Sequence, residues 1–232
     1  MSGGVMSLVV LIRHAHSSAN AAGVLSGQTE GVHLSPLGIK QSKNLAKRIG
    51  DVHVKTVRVS PMVRCSETIT PWITKSGSKL MIDEDINEMD YGLWTGKKLR
   101  TLSKDPLWKL VQEKPSKVTF PEGESMRAMQ KRAMKCVHEA ALQSGKGPAL
   151  LVSHGDVIKS IIASSLGLHL DEFQRIVIDP ASISIIDISS KSSRLLLMND
   201  STVSVSEILA SKSHKRIMVG GGSGNTTNKA RR

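Results

Sequence analysis

Aromatic side chains are scarce in this sequence, and so are cysteines and acidic residues. Phe, Trp and Tyr make up 3% of the 232 residues, which leaves no surface on which nucleic-acid bases would stack. Two cysteines, Cys65 and Cys136, are too few for a disulfide-built scaffold. No apolar run approaches the length of a membrane span, and the first residues lack the basic start of a signal peptide. We therefore expect a cytoplasmic protein with reduced thiols and no membrane partner.

The shortage of acids leaves a net charge of +12, from 32 Lys and Arg against 20 Asp and Glu. Residues 201–232 contribute six of these cations and one acid, Glu207. We expect residues 1–200 to form one domain, residues 203–210 to be a marginal segment at best, and the rest to be a flexible tail. A basic surface attracts small anionic substrates and could equally bind nucleic acid loosely. Because the chain has so few aromatic side chains on which bases could stack, we expect a solvated basic surface and no nucleic-acid partner.

Buried-strand patterns in this chain end in histidine or arginine. Residues 8–12 are an unbroken apolar run followed by Arg13 and His14, and residues 149–153 are followed by His154 and Gly155. Continuous apolar strands are typical of parallel sheets in α/β proteins, whose ligands bind beyond the carboxyl ends of the strands. Taken alone, the first segment is explained as well by a strand that simply meets water. The second strand that ends in a histidine, at residues 149–154, favours a site in which both histidines bind one anion.

Strand and helix patterns alternate along the chain, which predicts an α/β fold with a mostly parallel sheet. A serine cap and a proline begin a helix at residue 36, with Leu37, Gln41, Leu45 and Ile49 on one stripe. We expect residues 15–35 to be a loop and residues 88–121 an irregular excursion with short helical pieces at 97–103 and 106–113. The predicted longer helices are residues 36–49, 62–75, 124–143 and 156–166. The predicted strands are residues 8–12, 54–60, 80–82, 149–153, 176–178, 182–188 and 194–198.

Four motifs in order resemble those of the histidine phosphatase superfamily, also called the phosphoglycerate mutase-like family. They are Arg13-His14-Ala15, the Ser-Pro-x-x-Arg-x-x-x-Thr pattern of residues 60–68, the Glu-x-x-x-Gly-x-Trp-x-Gly pattern of residues 88–96, and Ser153-His154-Gly155. Each motif alone is a weak signal, and four in sequence are a strong one. The resemblance implies a three-layer α/β/α fold with a mostly parallel central sheet.

The resemblance also implies a role for each matched residue. His14 would be the nucleophile that becomes phosphohistidine, and Glu88 the general acid and then base. Arg13, Arg64, His154 and Gly155 would surround the phosphoryl oxygens, with Asn20 and, less securely, Ser26 as further donors. Such chemistry depends on positioning and charge stabilisation, so we expect no metal and no cofactor.

Some motif positions leave alternatives open. Asp83, Glu84, Asp85 and Asp90 compete with Glu88 for the acid role, and the glycine and tryptophan that follow favour Glu88. Ala15 stands where glycine is usual and is tolerable unless its backbone is left-handed. His16 stands where an acid or amide is common, and we expect it to face solvent. We expect Cys65 and Trp94 to pack rather than to react or touch substrate.

The leading hypothesis is a phosphomonoester hydrolase for a small phosphorylated metabolite. The alternative is a phosphomutase, which would need 2,3-bisphosphoglycerate as its cofactor and usually has a longer insertion after the glutamate. Glu88 and His154 are 66 positions apart (154 minus 88), which favours the hydrolase. A third possibility is a non-catalytic protein tethered to nucleic acid or acidic partners by its basic tail. We expect residues 20–33 and 88–121 to decide substrate specificity.

Overall fold

The computed structural model describes residues 7–54, 56–145, 147–188 and 193–210. Six strands form one sheet with the order β3-β2-β4-β1-β5-β6. The β1–β4, β2–β4 and β2–β3 pairs are parallel, and β5 and β6 join antiparallel at one edge. The strands are β1 (Ser7–Arg13), β2 (Thr56–Val59), β3 (Lys79–Ile82), β4 (Ala149–Ser153), β5 (Ile183–Ile188) and β6 (Ser193–Asp200).

Eight α-helices accompany these strands in the described part of the chain. They are α1 (Ser18–Ala22), α2 (Pro36–Ile49), α3 (Val63–Ser76), α4 (Leu99–Leu102), α5 (Pro106–Glu113), α6 (Met126–Gln143), α7 (Gly155–Ser165) and α8 (Val205–Ala210). Short 3₁₀ turns lie between them. The Ser35 side chain accepts the Gly38 N–H at the start of α2, as the serine-proline pair predicts.

Alternating side chains of β1 point into two different cores. Val9 and Leu11 belong to a hydrophobic cluster shared with α6 and α7. Val10 and Ile12 belong to a second cluster shared with α2, α3 and α8. Because both faces of the strand are covered by helices, β1 is an unbroken apolar run rather than an alternating one. These layers confirm the predicted three-layer α/β/α fold with a mostly parallel sheet.

Residues 176–178 are not a strand, contrary to the sequence prediction. Ile176 and Ile178 are buried while Val177 is 59% exposed, which is the period-2 pattern that suggested a strand. The segment is extended, but the Ile178 carbonyl accepts a hydrogen bond from the Arg13 guanidinium instead of joining a ladder. The backbone of this segment therefore positions the Arg13 side chain at the end of β1.

Two further predictions of local structure need correction. The predicted stripe of α2 is buried at Leu45 and Ile49, but Leu37 is half-exposed and Gln41 is only partly buried, and the buried positions in the first part of the helix are Gly38 and Ser42. Residues 18–22 form the short helix α1 inside the predicted loop.

Residues 205–210 form α8, a stronger structure than the marginal segment expected there. The helix packs on the second core through Val205, which is fully buried, and through Ile208 and Leu209. Burial of apolar side chains, rather than intrinsic helix propensity, stabilises so short a helix. The predicted tail from residue 211 onward lies outside the described residues.

Candidate active site

Strand register places the two motif histidines side by side. Arg13 of β1 pairs with Ser153 of β4 in a parallel ladder, so the residues that follow each strand meet at one sheet edge. The His14 backbone N–H donates to the Ser153 carbonyl at 2.8 Å. The centroids of the His14 and His154 rings are 5.2 Å apart. Two histidines separated by 140 positions in the sequence (154 minus 14) therefore share one site.

His14 is held with one ring nitrogen free to attack. Its Nδ1 lies 2.8 Å from the Ala15 carbonyl oxygen, and since a carbonyl only accepts, Nδ1 carries the proton. Burial lowers the pKa of His14 to about 3, and the charges of Arg64 and Arg13 act in the same direction. The imidazole is therefore neutral at pH 7, and its unprotonated Nε2 has the lone pair that a nucleophile needs.

His154 is fully buried and tied into its own hydrogen bonds. Its Nε2 lies 2.7 Å from the Ser60 hydroxyl, and its Nδ1 lies 3.3 Å from an Arg64 nitrogen. Because a guanidinium only donates, Nδ1 accepts and Nε2 carries the proton. Burial, followed by the charge of Arg64, lowers the pKa of His154 well below its usual value, so this ring is neutral as well.

The two motif arginines bring unsatisfied donors to the same site. Arg13 Nε and Arg64 Nε and Nη1 are buried without a hydrogen-bond partner among the described residues. Arg64 Nη2 donates to the Gly27 carbonyl at 2.8 Å, and Arg13 Nη1 donates to the Ile178 carbonyl at 2.6 Å. These bonds fix both guanidiniums while leaving other N–H groups free. Buried, unpaired cationic donors are costly unless an anion binds them.

Ser60 and Thr68 belong to the motif of residues 60–68, but the motif alone assigns neither of them a role. The Thr68 hydroxyl accepts the Ala15 N–H at 2.8 Å and donates to the Arg64 carbonyl at 2.6 Å. It therefore joins the turn after β1 to the first turn of α3. Ser60 follows β2 and bonds to His154. These hydroxyl groups reach their partners because parallel strands lie side by side in the sheet. The spacing of residues within the motif does not predict these contacts.

Glu88 lies at the same site and is 9% exposed. Its Oε2 is 3.4 Å from His154 Nδ1, and its Oε1 accepts the Met89 N–H at 2.9 Å. Burial raises the pKa of Glu88 to about 7, against the opposing charge of Arg64 and with a further increase from Asp156. A carboxyl group with a pKa near the working pH is suited to give a proton and take it back.

Arg132, which lies outside the four motifs, holds the backbone segment that carries Glu88. Its guanidinium donates to the carbonyl oxygens of Asp85, Asn87 and Glu88 at 3.0, 2.7 and 3.0 Å. Gln28 donates to the same Glu88 carbonyl at 2.8 Å. Arg132 lies in the middle of α6, so nothing in its local pattern distinguishes it from a surface cation.

The acidic rivals of Glu88 have other partners. Asp83 pairs with the buried Arg58 at 2.6 Å, and Asp85 pairs with Lys135 at 2.6 Å. Asp90 accepts the Gly92 N–H at 3.0 Å and shapes the turn after Glu88. Of the acidic residues considered from the sequence, Glu88 is therefore the one grouped with the two histidines.

Asn20, Ser26 and Gly155 line one cavity with Arg13, His14 and Glu88. Asn20 Oδ1 accepts the Ser17 N–H in a capping box at the start of α1, which turns its amide nitrogen into the available donor. Gly155 begins α7, and a Cβ there would lie 3.4 Å from the Arg13 guanidinium. The N-terminus of α7, the positive end of its dipole, adds to the preference of this site for an anion.

His14, Glu88 and His154 also offer ligand atoms within 4.8 Å of one another. Such a trio has the donor set for a transition metal. Two guanidinium groups share the site, however, and their positive charges oppose a divalent cation while favouring an oxyanion. The chemistry of the surrounding residues therefore fits a phosphate group better than a metal.

Three flanking residues play structural parts. Ala15 is buried, and its φ is not positive, so the methyl group that replaces the usual hydrogen is accommodated. His16 is only partly exposed, and its Nδ1 bonds to the Ser35 hydroxyl at 2.8 Å, so the expectation that it faces solvent is wrong. Cys65 is fully buried, and burial raises the pKa of its thiol to about 12, which makes it unreactive.

In the described part of the chain, no helix has both the length and the apolar character needed to cross a membrane.

Comparison with known proteins gives one consistent family. Phosphoserine phosphatase 1 of Hydrogenobacter thermophilus is 28% identical over 196 residues, which cover 84% of this chain and 92% of that protein. The probable phosphoglycerate mutase GpmB of Erwinia tasmaniensis is 27% identical, with 78% and 85% of the two chains covered. The crystal structure of the α-ribazole phosphatase of Shigella flexneri superposes with a TM-score of 0.76 at 25% identity, covering 85% of this chain and 98% of that one.

The family model of the histidine phosphatase superfamily, branch 1, matches residues 9–201. This match covers most of the chain and includes all four motifs. It confirms the resemblance that the motifs predict. The chain therefore belongs to the histidine phosphatase superfamily.

Proposed function

We propose that the protein hydrolyses a phosphomonoester through a phosphohistidine on His14. The observation that carries this proposal is the set of buried, unpartnered N–H donors on Arg13 and Arg64 beside a neutral His14. Donors of this kind can form hydrogen bonds to the oxygens of a phosphoryl group while it is transferred.

In the first step, His14 Nε2 attacks phosphorus and forms the P–N bond while the P–O bond to the alcohol breaks. Glu88, protonated below its pKa of about 7, gives its proton to the leaving oxygen. Arg13 and Arg64 hold the remaining phosphoryl oxygens through their free N–H groups, with the Asn20 amide as a further donor. His154, whose Nε2 proton faces Ser60, would donate to the phosphoryl group once its Nδ1 takes up a proton. The charge on the transferred group is thus matched by fixed donors rather than by water.

In the second step, the Glu88 carboxylate takes a proton from a water molecule, which attacks phosphorus. The P–N bond breaks, and His14 returns as a neutral imidazole as inorganic phosphate leaves. Glu88 regains the proton it gave away, so one cycle consumes one ester and one water. Ser26 lines the cavity beside Asn20 and is proposed as a secondary contact to phosphate.

The relatives named as phosphoglycerate mutases support a second candidate, a phosphomutase in which a sugar acid instead of water accepts the phosphoryl group. Both candidates use the same phosphohistidine. Release of inorganic phosphate from a simple ester identifies the hydrolase, and rapid isomerisation of 3-phosphoglycerate that depends on 2,3-bisphosphoglycerate identifies the mutase.

The nucleophile is tested by replacing it. We expect His14→Ala to lower kcat by at least about 1,000-fold, because covalent catalysis is lost while phosphate binding by the arginines persists. In wild-type protein quenched during turnover of a labelled ester, we expect an acid-labile, alkali-stable label that maps to His14. Full activity in His14→Ala, or a label on another residue, would refute the mechanism.

A further inference from the structure

A cavity extends from the phosphate-binding groups over the excursion between β3 and α6. Its volume is about 260 Å³, which is at the small end of ligand sites and suits one ring-sized alcohol. The part of its wall away from the phosphate is mainly apolar. It is formed by Val24, Leu99, Trp94, Trp108, Val111 and Phe120.

Aromatic residues are concentrated at this cavity. The chain has three Trp, one Tyr and two Phe, and four of these six, Tyr91, Trp94, Trp108 and Phe120, line it. Trp94 stacks on Trp108 with ring centroids 6.1 Å apart, and its ring meets the edge of Phe120 at 5.3 Å. Tyr91 meets Phe120 at 5.1 Å. These contacts hold the wall in place before any ligand binds.

The charges of the wall oppose a leaving group that carries a carboxylate. Among the described residues lining the cavity, Arg13 is the one lysine or arginine, and it belongs to the phosphate site. Asp156 adds a carboxylate to the wall, which accepts the Tyr91 hydroxyl proton at 2.8 Å and lies 3.6 Å from Lys159 Nζ. Gln112 and Gln174 supply neutral polar groups, and the Gln174 amide oxygen also accepts from Lys159 at 3.2 Å. Because Lys159 is already held by these wall residues, a carboxylate in this cavity would have to compete with Asp156 for that cation.

We infer that the leaving alcohol of the substrate carries a flat, uncharged aryl or heteroaryl ring rather than a carboxylate. The inference rests on the proposed phosphatase activity and gives it a substrate class. The ring would lie against the partly exposed Trp108, which stacks on the buried Trp94, with its phosphate on His14. Aromatic walls gain most from burying flat apolar surface, and the neutral glutamines can bond to ring nitrogens or hydroxyls.

The test compares esters of alkyl alcohols, whose intrinsic reactivities are similar. They are ethyl phosphate, 2-phenylethyl phosphate, O-phospho-L-serine and 3-phosphoglycerate. We expect kcat/KM for 2-phenylethyl phosphate to exceed that for ethyl phosphate by about tenfold or more, and the two carboxylate esters to fall below ethyl phosphate. A preference for phosphoserine or 3-phosphoglycerate would overturn the inference.

A matched pair of variants tests whether the preference for the aryl ester arises at the aromatic wall of the cavity. Trp108 is partly exposed in α5, so Trp108→Ala removes the ring without opening the deep core. We expect it to reduce the ratio of kcat/KM between 2-phenylethyl and ethyl phosphate by about tenfold. Leu93 is 51% exposed in the same excursion and does not line the cavity, so Leu93→Ala is expected to keep the ratio. An unchanged ratio in Trp108→Ala would refute the proposed wall.

Binding to His14→Ala separates this inference from the proposed function. Calorimetric dissociation constants for the same esters test the cavity without any turnover. Ethyl phosphate hydrolysis that depends on His14, combined with no aryl preference in binding or turnover, would refute the substrate class alone. Aryl preference in binding without hydrolysis by the wild type would refute the phosphatase and leave the substrate class standing.

Discussion

At the scale of single residues, the same burial has opposite effects on the pKa values of His14 and Glu88. It lowers the pKa of His14 to about 3 and raises that of Glu88 to about 7, because a low-dielectric site disfavours either charged form. A neutral imidazole can attack, and a protonated carboxyl can supply a proton to the alcohol. Both groups are therefore set for the first chemical step at neutral pH.

Replacement of Glu88 tests its role as the acid. We expect Glu88→Gln to lower kcat/KM for an alkyl phosphate by about 100-fold or more, and to lower it far less for 4-nitrophenyl phosphate, whose leaving group needs no proton. In the wild type, kcat/KM for the alkyl ester should fall as pH rises through about 7, where Glu88 loses its proton. Equal losses on both esters would argue against proton donation.

Asp156 tunes Glu88 through its charge, so removing that charge should move the pH profile. The Asp156 carboxylate raises the pKa of Glu88, and Asp156→Asn should therefore shift the alkaline limb of kcat/KM to lower pH. Asp51→Asn is the matched control, since Asp51 pairs at the surface with Lys75. A profile that stays in place in Asp156→Asn would show that the two carboxyl groups are not coupled.

At the scale of elements, the site depends on how separate segments are joined. The β1–β4 register sets His14 against His154, Thr68 fastens the turn after β1 to α3, and Arg132 fastens the Glu88 loop to α6. The strands and helices form a rigid framework, and His14 and Glu88 lie on the loops that this framework holds in place.

Arg132 should act as a positioning residue for Glu88. Arg132→Leu removes this donor from the backbone carbonyls of residues 85 and 87 and leaves Gln28 as the side-chain donor to that of Glu88, so we expect kcat to fall by about 10- to 100-fold. The pH profile should lose its sharp alkaline limb, with partial recovery in Arg132→Lys. Lys131→Leu, one residue away on the exposed side of α6, is the control. Unchanged kinetics in Arg132→Leu would refute this role.

At the scale of the whole molecule, the site is part of the core rather than an addition to its surface. His14 is 4% exposed, and His154 and Arg64 are 0% and 1% exposed. Folding therefore buries two imidazoles that an unfolded chain would expose. The protonation of these rings therefore affects both the proposed nucleophile and the free energy of unfolding.

Acid should destabilise the protein in a window set by these shifts. Between pH 6.5 and 4.5, His14 binds a proton in the unfolded chain alone, and Glu88 binds one in the folded protein alone. His154, whose pKa is lowered well below its usual value by burial, binds its proton preferentially in the unfolded chain. The two histidines together outweigh Glu88, so the free energy of unfolding falls as pH falls through this window, by at most about 1.4 kcal/mol per pH unit.

Urea unfolding at several pH values measures this slope. In His14→Ala one of the two imidazoles is gone and Glu88 opposes the other, so the free energy of unfolding should fall less steeply with falling pH than in the wild type. An identical slope in the wild type and His14→Ala would show that His14 is not protonated on unfolding as proposed.

Much of this architecture is predictable from local patterns. The apolar runs before Arg13 and His154 predict buried strands, and the serine-proline pair predicts the start of α2. Residues 176–178 were wrongly predicted as a strand because alternation reports burial but not pairing. Residues 205–210 form a helix because the second core covers Val205, which a local pattern does not reveal.

Residue type and spacing are enough to predict the family, the six strands of the sheet and the residues of the four motifs. The contacts of the folded chain show which ring nitrogen of His14 is free, which donors of Arg13 and Arg64 lack partners, and that Arg132 and Thr68 support the site. The folded chain also gathers four aromatic residues around one cavity. Burial and hydrogen-bond partners arise from contacts between residues far apart in the chain, and those contacts exist only once the sheet has formed.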